Sequence, residues 1–89
     1  MGPVESRMLA YLKARLENGA LSVSGEEIMD AVVPSDHPEF RERPAYRYGL
    51  ERLHVRGVIN AVDDRAGRTH YFIGPCPSAA LRESLGLGR

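Results

Sequence analysis

The chain has one cysteine, one lysine, no net charge and no long apolar run, and each scarcity removes a class of protein. With Cys76 alone, an intramolecular disulfide and a cysteine-built metal site are excluded, which fits a reducing cytoplasm. Cys76 is expected to be a small, partly buried filler. No stretch approaches the ~18 apolar residues of a membrane-spanning helix. Met1-Gly2-Pro3 lacks the charged-then-apolar layout of a signal peptide, so a cytoplasmic protein without a membrane partner is expected. Met1, Gly2 and Ser6 match the loose myristoylation pattern, but Pro3 stiffens the segment an acylating enzyme would have to accept. A Gly-rich phosphate loop, a nucleophile motif and an H-x-x-x-H or H-x-E spacing are all missing. His37, His54 and His70 fall on a loop, a helix and a strand, and each reads as a surface or edge histidine. Adjacent Asp63 and Asp64 point apart on a hairpin and serve a turn better than an acid–base pair. No enzyme activity, metal or cofactor is therefore expected.

What is present suits one small domain. At 89 residues only about 60 to 65% of the unfolded surface can be buried, which leaves no room for a second folded unit. The chain is 43% apolar and 27% charged, ordinary values for a folded globular protein. Twelve basic and twelve acidic side chains cancel, whereas a protein that coats DNA is usually strongly basic, so any electrostatic footprint has to be local. Eleven of the basic residues are arginine, and seven of those lie between Arg41 and Arg68. The arginine fork suits phosphates and guanine edges. A GC-rich genome would produce the same bias.

Met8, Leu9, Leu12 and Leu16 mark one face of a helix over residues 4–18, which Asn18-Gly19 stops. Glu5, Arg7, Lys13, Arg15 and Glu17 form its solvated side, with Tyr11 at the margin where its hydroxyl reaches water. Residues 20–23 suggest a brief strand or extended link. Ser24 and Glu27 have capping-box spacing for a second helix, whose buried stripe is Ile28, Ala31 and Val32 and which Pro34 ends. Residues 34–43 are too long for a minimal helix-turn-helix turn. They form either an ordered loop pinned by Phe40 or a helix that starts at Pro38 under an Asp36 cap and kinks at Pro44. Pro44 opens a third helix with Tyr46, Leu50 and Leu53 inside and Gly49 allowing a close neighbour; Arg56-Gly57 closes it. Residues 58–62 and 69–73 form a hairpin around a polar six-residue tip. Ser78 caps a last short helix that runs through Leu85.

In sum the sequence predicts an α+β, mainly α, domain over 4–74 and a C-terminal extension over 75–89. The segment Leu50-Glu51-Arg52-Leu53-His54-Val55-Arg56-Gly57-Val58-Ile59 is similar to the join between recognition helix and wing in many bacterial transcriptional regulators. The chain thus resembles the winged helix-turn-helix superfamily: a three-helix core, a C-terminal β-hairpin wing and here a short extra helix. That resemblance implies a third helix lying in the major groove of double-stranded DNA and a wing on the backbone. It assigns Arg47, Glu51 and His54 to the groove-facing side, and Arg43, Tyr48, Arg65 and Arg68 to phosphates. Arg47 is the first candidate for a base contact, because a bidentate arginine to guanine is the commonest specific pairing.

Transcription regulation by a homodimer follows, since one recognition helix reads few base pairs and two copies lengthen the site. The first helix and residues 79–87, with Leu81, Leu85 and Leu87, are the surfaces expected to pair. Winged helices also dock on proteins. Net neutrality, the acidic Asp63-Asp64 pair and the long 34–43 segment suit such a partner protein, while the arginine cluster suits DNA.

Overall fold

Met8 and Leu12 stand one helical turn apart and are both fully buried, and the rest of the molecule is assembled around them. They belong to α1 (Pro3–Glu17), which starts with proline in its first turn, where a missing N–H costs nothing. The computed structural model describes residues 1–88. After α1 come β1 (Val23–Ser24), α2 (Gly25–Val32), a 3-10 turn (Pro38–Glu42), α3 (Pro44–Arg47), α4 (Gly49–Val55), β2 (Asn60–Asp63), β3 (Thr69–Phe72) and α5 (Ala79–Ser84). The result is an α+β fold with a single three-stranded antiparallel sheet among the described residues, in the order β1-β3-β2. Among the described residues no helix is long and apolar enough to cross a membrane.

Ile28 from α2, Leu53 from α4, Val23 from β1 and Ile59 from just before β2 close over Met8 and Leu12. Fully burying one such side chain stabilises by about 1.5 to 3 kcal/mol, so this group is the main reason the helices stay together. The brief strand does more than link two helices. Val23 pairs with Tyr71 and Ser24 with His70, so β1 docks on the hairpin and makes β3 the central strand. Across the hairpin, Asn60 pairs with Phe72 and Asp63 with Thr69, a register slightly later than the expected 58–62 strand.

Several expectations need correction. Glu5 is not on a solvated face: it is 7% exposed and is held by two arginines of α4 and its cap. Ala31 is exposed, because Ile28 and Val32, four apart, take the buried side of α2 with Met29 beside them. Cys76 is exposed and fills nothing. Only half of the capping box forms. Ser24 Oγ accepts from the Glu27 N–H at 3.1 Å, but the Glu27 carboxylate turns to α1, where the Tyr11 hydroxyl (2.7 Å) and Arg15 Nε (2.8 Å) donate to it. Tyr11 therefore serves an interhelical clip rather than water.

The 34–43 segment combines the two forms expected of it. A 3-10 turn starts at Pro38, but His37 occupies the cap position and Asp36 does not bond there. Phe40 packs partly into the core, with His37 stacked on it at 4.6 Å and the Arg43 guanidinium 3.7 Å from its centroid.

Candidate nucleic-acid interface

The expected third helix is two pieces. Tyr48, at φ −111° and ψ 6°, interrupts it between α3 and α4. The residue after the break, Gly49, is a poor helix former and is packed where a side chain would not fit: a Cβ there would come within 2.7 Å of Met8 Sδ. The close approach expected of Gly49 is real, and it coincides with the break. Hydrogen bonding resumes at once, with the Arg52 N–H donating to the Tyr48 carbonyl at 3.0 Å. The far end closes at Gly57, whose φ of +77° lets the Val58 N–H reach back to the Leu53 carbonyl at 3.1 Å.

Gly49, Leu50 and Leu53 are the buried positions of α4. With about 100° of turn per residue, the direction opposite them is occupied by Glu51 and Val55, with Tyr48 beside them. Val55 is 80% exposed and Tyr48 43%. Arg47, Glu51 and His54 are all exposed as expected. Arg47 stands beyond the break and lines a hollow between α2 and α4 with Gly25, Glu26, Glu42 and Leu50. His54 lines another against the hairpin with Ala61, Val62 and Asp63. Glu51 borders both.

Tyr71 of the central strand lines both hollows. Its ring rests on the start of α2, where a Cβ on Gly25 would be 3.2 Å from Cε2. Burial pushes the Tyr71 phenol up, and the Asp63 and Glu51 carboxylates add to the effect, so it remains a neutral O–H donor.

The arginine cluster divides on folding. Arg41 pairs with Asp30, while Arg52 Nε and Arg56 Nη1 approach Glu5 at 3.5 and 3.0 Å. Arg43 lies over Phe40. Arg47 has only a loose approach to Glu42 at 3.7 Å and stands 5.5 Å from the Tyr48 ring. Arg65 and Arg68 are exposed at the hairpin tip and have no carboxylate partner among the described residues. Arg68 also lines a hollow with Ser24, Gly25 and Glu26, which brings it to the same start of α2 that Arg47 borders.

The two aspartates at the hairpin have separate tasks. Asp63 Oδ1 accepts from the Thr69 hydroxyl at 2.7 Å. Asp64 Oδ1 accepts from the N–H groups of Ala66 (2.8 Å) and Arg68 (3.0 Å), and its Oδ2 meets His70 Nε2 at 2.9 Å. The hydrogen bond from His70, followed by those backbone N–H groups, holds the Asp64 carboxyl below its ordinary value. Asp64 is thus an organiser of the turn that carries Arg65 and Arg68. His70 is not an edge histidine, for it sits on the central strand with its side chain 15% exposed.

At the C-terminus the Ser78 hydroxyl accepts from the Leu81 N–H, as expected of a cap, at 3.1 Å. Leu81 is 2% exposed, so of the leucines expected at a pairing surface only the half-buried Leu85 and Leu87 remain accessible. Among the described residues no group of three His, Cys, Asp or Glu side chains could hold a metal ion. Comparison with protein-family models, curated proteins and solved structures finds no match.

Sequence reasoning missed Val55, Tyr71 and the Glu5 ion group. Val55 carried a signal, being a β-branched residue opposite Leu50 and Leu53. Tyr71 and Glu5 carried none, because their burial depends on elements distant in the chain.

Proposed function

We propose that this chain is a winged-helix protein that binds double-stranded DNA and regulates transcription, with α4 entering the major groove and the β2–β3 turn lying on the backbone. The observation that carries the proposal is the distribution of arginine. Arg43 and Arg47 at the start of the α3–α4 unit, and Arg65 and Arg68 on the hairpin tip, are left exposed while the other arginines of the cluster are taken up by Asp30 and Glu5. Arg47 and Arg68 border hollows that share Gly25, Glu26 and Tyr71, which supports their acting on one ligand. Two copies would read a site about one helical turn longer than one copy.

Fluorescence anisotropy with a selected and a scrambled duplex tests the assignment. Arg47→Ala should weaken the selected duplex by about 1 to 3 kcal/mol and spare the scrambled one. Arg65→Ala and Arg68→Ala should weaken both alike. Equal losses with Arg47→Ala would remove that residue from base reading. A protein-docking role for the same surface is favoured by one feature, the carboxylates of Glu26, Glu42, Glu51 and Asp63 around it. Absence of binding to any duplex at low salt would select that second role.

A further inference from the structure

The most exposed large hydrophobic side chain lies on α4. Val55 is 80% exposed, the highest value among the large hydrophobic residues. A β-branched residue lowers helix propensity, so helix stability does not account for it there. One turn earlier, Glu51 is exposed and has no basic partner among the described residues. A carboxylate on this face repels phosphate. The groups in the major groove that offset such repulsion are donors, the amino groups of cytosine and adenine. An isopropyl group beside it has a single apolar counterpart in that groove, the methyl group on C5 of a pyrimidine.

We infer that Val55 reads a C5-methyl pyrimidine while Glu51 accepts a hydrogen bond from an exocyclic base amine nearby. Four residues advance about 6 Å along a helix, and base pairs are spaced about 3.4 Å apart, so the two contacts fall within about two base pairs of each other. The inference rests on the DNA reading of α4 and adds to it the chemistry of the base read. Thymine and 5-methylcytosine both offer this methyl group.

The test begins with a random-site selection at low salt using the full chain. In the selected duplex each thymine is then replaced singly by deoxyuridine, and each cytosine by 5-methylcytosine, and affinities are measured by anisotropy for the wild type and Val55→Ala. Loss of about fourfold at one deoxyuridine, the worth of one buried methyl-sized group, identifies thymine as the source. A gain of similar size at one 5-methylcytosine identifies the methylated base. In either case Val55→Ala, which folds because the site is exposed, should reduce the ratio below about twofold. Wild-type affinity that ignores every methyl change overturns the inference, as does a ratio unchanged by Val55→Ala, and both leave DNA binding itself intact. Failure to bind any duplex removes the DNA reading and this inference together.

Discussion

Replacing Glu5 by glutamine keeps its shape and removes one charge, and the structure sets the size of the effect. The carboxylate is 7% exposed, with Arg56 Nη1 at 3.0 Å and Arg52 Nε at 3.5 Å, so α1 holds the far end of α4 through it. An exposed pair is worth about 0.2 to 1 kcal/mol, whereas breaking a fully buried one costs about 3 to 5. Here the carboxylate is buried but the arginine side chains are 41% and 49% exposed, so water screens part of the charge. Glu5→Gln should therefore cost about 1 to 2 kcal/mol, between those limits. For a domain of this size that lowers Tm by roughly 5 to 15 °C. Circular dichroism melts at pH 7, supported by urea titrations, measure it. Arg47→Gln is the control, since its contact with Glu42 is long and exposed on both sides, and it should change stability by less than about 0.5 kcal/mol. The Glu5→Gln deficit should persist in high salt, which screens the surface more than the interior. A melt within about 1 °C of the wild type would refute the idea that this ion group holds α4 in place.

Gly49→Ala should destabilise by about 1 to 3 kcal/mol, because its methyl meets Met8 Sδ in a filled core, and shortening Met8 to valine should recover part of the loss in a denaturation series. Acid should weaken the fold through Glu27, held low first by the Tyr11 hydroxyl and then by Arg15, and through Asp64, held low first by His70. Carboxyls depressed in the folded chain add stability above their unfolded values of about 4, and that contribution fades as pH falls through the lowered values. Stability measured from pH 7 downward should drop in that range, and Glu27→Gln should flatten the drop. Asp64→Ala should speed hydrogen exchange at the Ala66 and Arg68 amides, where it supplies the acceptor, while the β3 amides facing β1 keep their protection.

The parts of the fold legible in the sequence were those set by near neighbours. Leu12 and Met8 on a 3.6-residue period, the Ser24 and Ser78 caps, Pro44 at a helix start and Gly57 at a helix end all act within a turn or two of chain. The errors came where two distant segments meet. Glu5 looked solvated because Arg56, its partner, lies 51 residues away. Glu27 matched the capping box, yet a tyrosine and an arginine on α1 offered its carboxylate better partners. The break at Tyr48 is not encoded by the helical pattern of 44–56, which runs through it. Of the candidate site, exposure of Arg43, Arg47, Tyr48, Glu51, His54, Arg65 and Arg68 was anticipated from the leucine stripe and the polar turn. The outward position of Val55 was not drawn from that same stripe, although Leu50 and Leu53 imply it.

The salt dependence of duplex affinity tests the proposed DNA role most directly. If Arg43, Arg65 and Arg68 each neutralise a phosphate, the logarithm of the association constant should fall against the logarithm of salt concentration with a slope of about −2.7 per bound copy. Removing Arg65 or Arg68 should reduce that slope by about 0.9. An affinity indifferent to salt, or no association with any duplex at low ionic strength, would contradict it.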